Sequence, residues 1–400
     1  MRWVAVPAVL LAAGCSSPAP SPRPSSPPSP RPSAQPAPPW TGTWATAVEG
    51  GGRSFEAQTL RQIVHTSIGG DIARIRLTNE FGENPLVVAS VRMALPVDGV
   101  TIDPATDRQV TFAGATSVTI PPGAAAESDD LAFPVPADGD VAVSVHLPTA
   151  TGPSTRHGIA VRDNYTAPGD QTSARRLTGA AKETSWYFLA GLDVRGGEGA
   201  VVAFGASITD GLGSRFGADQ RWPDLLADRL RAAGRTVGVL NAGISGNRLT
   251  VDDRGQSAAN RFERDVLRQP GARWVIISDD ALNDLGAADP PAPAELIAVI
   301  RALIERAHGA GIRVICSTLT PYAGAGYWTT RGETGRIAIN TFVRSDGSGC
   351  DAVLDQDKAT RDPADPARYL PEHDSGDHLH PSAEGLRAIA DAAQMSWFTG

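Results

Sequence analysis

Four short segments in the second half of the chain carry the residue types that acyl transfer needs. They are GASITDG (205–211), NAGISGN (241–247), ALNDLG (281–286) and DHLHP (377–381). Ser207 is a candidate nucleophile, His380 a candidate general base and Asp377 the carboxylate that would orient the base. An oxyanion needs N–H donors, which the backbones of Ser207 and Gly246 and the side-chain amide of Asn283 can supply. Together these residues predict a serine hydrolase site.

Each residue also has an ordinary structural explanation when it is considered alone. Ser207 follows the apolar run VVAFG and could simply cap the next helix, since serine is favoured at that position. Gly246 and Asn283 are common turn residues, and His380 could be a hydrogen-bonded loop histidine. The occurrence of all four in segments that end predicted strands or begin a helix favours catalysis.

The local sequence around His380 also bears on its chemistry. Pro381 is a favoured first residue of a helix, so His380 is predicted to lie at a helix N-terminus, which would keep its imidazole neutral. His373 and His378 flank the site and are assigned no role. These histidines lack a cysteine or a clear carboxylate set, so neither a metal nor a cofactor is expected.

Strand-like and helix-like segments alternate through residues 198–400. VVAFG, VGVLNAG, WVIIS, IRVICSTL and AVLDQ read as strands, and amphipathic segments such as WPDLLADRLRAAG separate them. This alternation predicts an α/β domain with a parallel sheet and helices on both faces. The carboxyl ends of such strands form one rim, where ligands bind.

Residues 40–197 show a different pattern. Short runs such as TLRQIVHTSI, DIARIRLTNEF and DVAVSVHLP are separated by Gly, Pro, Asp and Asn, with no helical periodicity of useful length. This pattern predicts an all-β sandwich domain, jelly-roll-like in strand spacing.

The first 39 residues predict export. MRWVAVPAVLLAAGC has the short apolar run and small residues of a bacterial lipoprotein signal, with Cys15 as the lipidation candidate; a plain secretory signal is the alternative. Residues 16–39 are rich in proline and serine and predict an extended linker. We therefore expect an exported protein that is lipid-anchored to the outer face of the cell membrane, or otherwise secreted.

The net charge of the chain limits the partners that are expected. It is −8 with no basic stripe, so nucleic acid is not an expected partner.

Two cysteines lie in the second half of the chain. Cys316 falls within a predicted strand and Cys350 just before another. A disulfide is chemically permitted outside the cytoplasm, but its geometry is strict, so two buried free thiols are the expectation.

The four segments resemble, in order and spacing, the sequence blocks of the SGNH (GDSL-type) hydrolases, a family of esterases, lipases and carbohydrate deacetylases. RWPDLLADRL, VLNAGISGNRL, LTPYAGAGYW and SGDHLHP look like an exported bacterial branch related to arylesterases and xylan-associated acylhydrolases, whose members carry an N-terminal β-domain. The resemblance covers residues 198–400 and implies a flavodoxin-like three-layer α/β/α fold. It also implies Ser207, Asp377 and His380 as the triad, and Ser207, Gly246 and Asn283 as oxyanion donors.

Two positions depart from the family pattern. Ala206 replaces the aspartate that precedes the nucleophile, and the third block reads SDDALND, with Ala281 in place of glycine. We expect Asp279 or Asp280 to replace the missing carboxylate by accepting backbone N–H bonds near the nucleophile.

The expected function is hydrolysis of short acyl esters, acetyl first, of carbohydrates or aryl alcohols through an acyl-enzyme. The loop TPYAGAGYWTTRGE follows a predicted strand and places Tyr322, Tyr327 and Trp328 among glycines; we expect Tyr327 and Trp328 to bind substrate, with burial as the alternative. A second hypothesis is a weakly active or inactive surface protein that binds carbohydrate. The sequence leaves the oligomeric state open.

Overall fold

The structure is a computed structural model that describes residues 1–5, 7–8 and 39–399. Cys15 and the predicted linker up to residue 38 lie outside the described residues. Among the described residues, no helix is both long enough and apolar enough to cross a membrane. Residues 39–399 lie in one compact unit.

The first part of this unit is built from antiparallel β-strands. Its strands are β1 (Trp40–Ala45), β2 (Glu49–Gly52), β3 (Gln58–Thr66), β4 (Gly70–Thr78), β5 (Leu86–Val88), β6 (Ser90–Ala94), β7 (Pro96–Asp98), β8 (Thr101–Ile102), β9 (Arg108–Gln109), β10 (Val118–Ile120), β11 (Ala125–Glu127), β12 (Leu131–Val135), β13 (Gly139–Leu147), β14 (Ser154–His157), β15 (Asn164–Pro168), β16 (Ala181–Glu183), β17 (Trp186–Tyr187) and β18 (Leu189–Arg195). One sheet has the order β16-β15-β3-β13-β6-β9, and another has the order β1-β18-β4-β11 with β12 also on β4. Alternate residues of both sheets, among them Ile75 of β4 and Val143 of β13, share one apolar core. The predicted β-sandwich is confirmed.

The second part alternates strands and helices, as the sequence predicts. Its elements are β19 (Gly199–Gly205), α1 (Ser207–Asp210), α2 (Trp222–Ala232), β20 (Val237–Gly243), α3 (Ala258–Phe262), a π-helical turn (Glu263–Leu267), β21 (Ala272–Ile277), α4 (Asp280–Leu285), α5 (Pro293–Gly309), β22 (Arg313–Ser317), α6 (Thr330–Val343), β23 (Ala352–Leu354), α7 (Gln356–Thr360) and α8 (Ala383–Ala392), with 3-10 turns at Asp346–Ser348, Pro371–His373 and Met395–Phe398. The five strands form a parallel sheet in the order β20-β19-β21-β22-β23. This is the flavodoxin-like order 2-1-3-4-5. Helices α2 and α8 pack together, and α5 packs with α3 and α6. The α/β fold is thus confirmed.

The last helix begins later than the sequence suggests. Ser382 is its N-cap and accepts a hydrogen bond from the Gly385 N–H, so α8 starts at Ala383. Pro381 instead forms an isolated bridge with Asp374. The prediction that Pro381 is the first helical residue is wrong, because the cap is formed by the serine after it. His380 therefore lies in a loop, two residues before the cap.

The expectation of free thiols at Cys316 and Cys350 is also wrong. The two cysteines form a disulfide with a Cα–Cα distance of 5.7 Å. Cys316 lies in β22 opposite Val353 of β23, and the chain enters β23 just after Cys350. Parallel neighbouring strands place the two cysteines within bridging distance, although 34 residues separate them in sequence.

The β-sandwich packs directly on one edge of the parallel sheet. β1 lies against β20, and a Cβ at Gly42 would stand only 2.9 Å from a Leu240 methyl carbon. The Gly42 N–H donates to the Pro270 carbonyl at 2.9 Å, and the Val239 N–H donates to Ser67 Oγ at 2.9 Å. Close packing and hydrogen bonds across this contact let residues of the sandwich reach the rim of the parallel sheet.

Candidate active site

Ser207, His380 and Asp377 form one hydrogen-bonded chain at the carboxyl rim. Ser207 is the first residue of α1, directly beyond β19 and Ala206. Its Oγ lies 2.9 Å from His380 Nε2, and His380 Nδ1 lies 2.6 Å from Asp377 Oδ2. The N-cap of α1 is Ala206, and no side chain caps the helix, so the Ser207 hydroxyl contacts the imidazole instead of a backbone N–H. This geometry can activate a serine hydroxyl for attack.

The loop that carries Asp377 holds the carboxylate in place. Asp377 Oδ1 accepts hydrogen bonds from the backbone N–H groups of Leu379 and His380, at 2.9 and 2.8 Å. Partial burial acts to raise the pKa of Asp377, but these bonds and the one from the His380 ring hold that pKa well below its usual range. The carboxylate therefore stays ionised and can stabilise a protonated His380.

The three predicted oxyanion donors are arranged differently from one another. Gly246 has φ +81°, a conformation that favours glycine, and within the described part of the chain neither its N–H nor that of Ser207 donates a hydrogen bond. The Asn283 amide, in α4, donates one N–H to the Asn247 carbonyl at 2.8 Å. Its Oδ1 accepts from the Tyr327 hydroxyl at 3.3 Å, which leaves its second N–H for a ligand.

Asp279 holds the turn that carries the nucleophile. It is buried, and its Oδ1 accepts from the Ala206 N–H at 3.1 Å and its Oδ2 from the Ile208 N–H at 2.9 Å. The Thr209 hydroxyl also donates to it, at 2.5 Å. Of the two expected candidates, Asp279 braces the nucleophile turn and Asp280 does not.

Asp280 contacts Arg261, a residue that sequence reasoning missed. The two side chains are 3.2 Å apart, and Arg261 also donates to the carbonyls of Gly205 and Ala242, at the ends of β19 and β20. Burial, with a smaller contribution from Asp279, raises the pKa of Asp280 to about 7 despite the nearby guanidinium. In the sequence, Arg261 looks like one more polar position of an amphipathic helix, so no signal marks it.

The aromatic loop is less exposed than the sequence suggests. Tyr322 is fully buried, and its ring packs against that of Tyr327 at a centroid distance of 6.0 Å. Tyr327 is partly buried, with its hydroxyl on Asn283, while Trp328 remains 36% exposed. Of the three rings, Trp328 offers the most surface to a ligand.

Two cavities lie between the sandwich and the α/β part, next to the C-terminal end of the nucleophile helix α1. One, of about 340 Å³, is lined by residues that follow α1 and by the sandwich side, namely Gly158, Ile159, Val161, Thr184, Gly211, Leu212, Gly213, Ser214 and Phe216. A Cβ at Gly213 (φ +88°) would stand 2.1 Å from the Pro381 carbonyl oxygen and 3.7 Å from His380 Cβ, so this segment touches the histidine loop. The second, of about 150 Å³, is lined in part by Arg156, His157, Asp210 and Ser245.

The flanking histidines make other contacts. His378 Nδ1 lies 2.6 Å from Asp374 Oδ2, and the His373 carbonyl accepts from the Ser382 N–H. A group that could hold a metal ion lies elsewhere, where ligand atoms of His65, Asp140 and Asp219 fall within 4.8 Å of one another. The Arg162 guanidinium already contacts both carboxylates of that group, which supplies a cationic partner.

A flavodoxin-like sheet with Ser207 after its first strand and the Asp377–His380 pair before its last helix defines an SGNH-type hydrolase domain. Residues 203–388 match the model of the GDSL-like Lipase/Acylhydrolase family, and this part of the chain is a GDSL-like hydrolase domain. A comparison with curated proteins found no match.

Several solved structures are similar to this part of the chain. A lipase/acylhydrolase from Enterococcus faecalis is 22% identical over 48% of this chain and 92% of its own, with a TM-score of 0.37. A carbohydrate acetylesterase family member from Sinorhizobium meliloti is 16% identical over 48% of this chain and 94% of its own, with a TM-score of 0.40. An acetyl xylan esterase, AlAXEase, is 21% identical over 48% of this chain and 96% of its own, with a TM-score of 0.36.

Proposed function

We propose that this protein is a serine esterase that removes short acyl groups through an acyl-enzyme. The observation that carries the proposal is the chain from Ser207 Oγ through His380 Nε2 and Nδ1 to Asp377, with distances of 2.9 and 2.6 Å. All three residues belong to a domain of an acylhydrolase family.

The reaction follows from the positions of these groups. Ser207 Oγ attacks the ester carbonyl carbon while His380 Nε2 takes its proton, and the carbonyl oxygen becomes an oxyanion that the N–H groups of Ser207, Gly246 and Asn283 can stabilise. The intermediate collapses, the C–O bond to the alcohol breaks, and His380 returns the proton to the leaving alcohol. Water then attacks the acyl-enzyme with His380 as base, which releases the acid and restores Ser207.

Two features support a sugar or an aryl alcohol as the alcohol part of the ester. Trp328 is 36% exposed next to Tyr327, whose hydroxyl contacts Asn283, so a partly exposed aromatic face borders the proposed oxyanion donors. Such faces stack well on sugar rings and aryl groups. The export signal proposed for residues 1–15, with lipidation at Cys15, would give the enzyme access to extracellular glycans.

The test combines p-nitrophenyl acetate hydrolysis with labelling by a fluorophosphonate probe. The wild-type protein should be labelled and active, and Ser207→Ala should lose labelling and at least about a thousandfold in kcat while remaining folded. Ser348→Ala, at a buried serine away from the triad, is the matched control and should retain both. A folded wild-type protein that is neither active nor labelled but binds xylan would support the carbohydrate-binding alternative.

A further inference from the structure

A buried ion pair connects the β-sandwich to the nucleophile helix. His157 ends β14 of the sandwich, and its Nε2 lies 3.0 Å from Oδ1 of Asp210, the last residue of α1. Their side chains are 4% and 2% exposed, so water contributes little to solvating either one. The proposed mechanism uses neither residue.

The second oxygen of Asp210 holds the loop that presents Gly246. Asp210 Oδ2 accepts from the Ser245 N–H at 3.0 Å and from the Ser245 hydroxyl at 2.5 Å. Ser245 directly precedes Gly246, and Asp210 lies three residues beyond Ser207 on the same short helix. One carboxylate therefore sets the spacing between the nucleophile and a proposed oxyanion donor.

The surroundings of His157 require both ring nitrogens to carry protons. Nδ1 lies 2.8 Å from the Ala47 carbonyl oxygen, and Nε2 lies 3.0 Å from the Ile159 carbonyl oxygen as well as facing Asp210. Carbonyl oxygens only accept hydrogen bonds, so each nitrogen must donate. The Trp186 ring packs beside the imidazole at a centroid distance of 5.6 Å and restricts its movement. The residue is thus a fixed imidazolium directed at Asp210.

We propose that His157 is a positioning residue of the esterase site. Through Asp210 and Ser245 it fixes the Gly246 N–H relative to Ser207, so the β-sandwich supplies part of the oxyanion-hole geometry. The inference rests on the proposed esterase function and adds a role for the sandwich in it. An oxyanion donor acts only when it is held at the position where negative charge develops. If the Gly246 loop relaxes by a fraction of an ångström, stabilisation of the transition state decreases more than the affinity for the substrate does.

Two variants of His157 and one control separate this role from plain stability. His157→Leu removes the donor to Asp210, whereas His157→Gln retains a neutral N–H donor near the position of Nε2. His65→Gln is the matched control, because His65 is also a sandwich histidine that contacts carboxylates, including Asp219 of the α/β part, but it does not touch Asp210.

The measurements are kcat and KM for p-nitrophenyl acetate and hydrogen exchange of the peptide 242–249. Removing a whole oxyanion donor costs about 100- to 1000-fold in kcat, so displacing one should cost roughly 10- to 100-fold in His157→Leu, with KM within about twofold of wild type. His157→Gln should recover most of this loss, and His65→Gln should leave kcat unchanged. Exchange of peptide 242–249 should rise in His157→Leu and not in His65→Gln.

The inference is overturned if His157→Leu retains wild-type kcat, or if peptide 242–249 stays as protected as in wild type. If His157→Leu does not fold, Asp210→Asn takes its place in the comparison, and a kcat and an exchange of peptide 242–249 that match wild type in this variant would overturn the inference equally. A wild-type protein without esterase activity would refute the proposed function alone, since the exchange measurement still tests whether His157 holds the Gly246 loop.

Discussion

Replacement of Asp279 by alanine should damage the nucleophile turn more than any change at Asp280. Asp279 is 2% exposed and accepts from two backbone N–H groups and one hydroxyl, all in the turn that carries Ser207. Alanine would leave the N–H groups of Ala206 and Ile208 buried without an acceptor. The turn would then have to move to satisfy them.

The size of the effect follows from these bonds. A buried donor left unpaired costs about 1–3 kcal/mol, so two of them should lower the free energy of unfolding by roughly 2–6 kcal/mol. If only about 2 kcal/mol of this loss is expressed in the transition state, kcat falls about 30-fold, at 1.36 kcal/mol per factor of ten. Asp279→Asn retains one oxygen acceptor, so its losses of stability and of kcat should both be smaller.

The assay is urea unfolding together with kcat for p-nitrophenyl acetate. Asp289→Ala, at a side chain that is 92% exposed, is the control and should change neither. Ala206→Asp should destabilise the wild-type protein, because it places a second carboxylate beside Asp279, but should partly restore kcat in Asp279→Ala. Additive effects of the two substitutions would refute the inference that Asp279 compensates for the carboxylate that is missing at position 206. Unchanged kcat and stability in Asp279→Ala would refute it as well.

Three further predictions concern the disulfide, a buried carboxyl and the substrate. Removing the disulfide with Cys316→Ala and Cys350→Ala should lower the free energy of unfolding by roughly 3–4 kcal/mol on the chain-entropy model for a 34-residue separation, as measured by urea unfolding; a loss under about 1 kcal/mol would contradict it. The pKa of Asp280 is raised from 3.8 to about 7 in the folded state, so folding takes up a proton at any pH between these two values. The contribution of Asp280 to the free energy of unfolding therefore decreases as the pH rises through this range. Asp280→Asn should remove this component, so the stability of wild type relative to the variant should fall between pH 4 and 7, and a constant difference would be inconsistent with the shift. Values of kcat/KM should fall from acetyl through butyryl and octanoyl to dodecanoyl p-nitrophenyl esters, and Trp328→Ala should raise KM for acetylated xylan more than for p-nitrophenyl acetate; a maximum at octanoyl or longer, with no acetate released from the glycan, would favour a lipase.

The sequence by itself was sufficient for the α/β architecture and for the segments that meet at its rim. Strands that alternate with helices run parallel, so their carboxyl ends all lie at one rim of the sheet. Ser207 and Asn283 could therefore be placed at that rim from sequence alone. The proximity of Asp377 and His380 also follows from sequence, since they are three residues apart in one loop. Local spacing and periodicity carry this kind of information.

Only the tertiary structure decided which side chains face each other across distant segments. Asp279 and Asp280 are adjacent in sequence, yet one accepts from the nucleophile turn and the other contacts Arg261, because successive residues at a strand-to-helix junction point in different directions. The cysteine pairing depends on the register of β22 and β23, which no local pattern encodes. The contact of His157 with Asp210 depends on how the sandwich packs against the parallel sheet. Such long-range contacts are set by the shape and packing of whole layers, which a reading of local sequence does not contain.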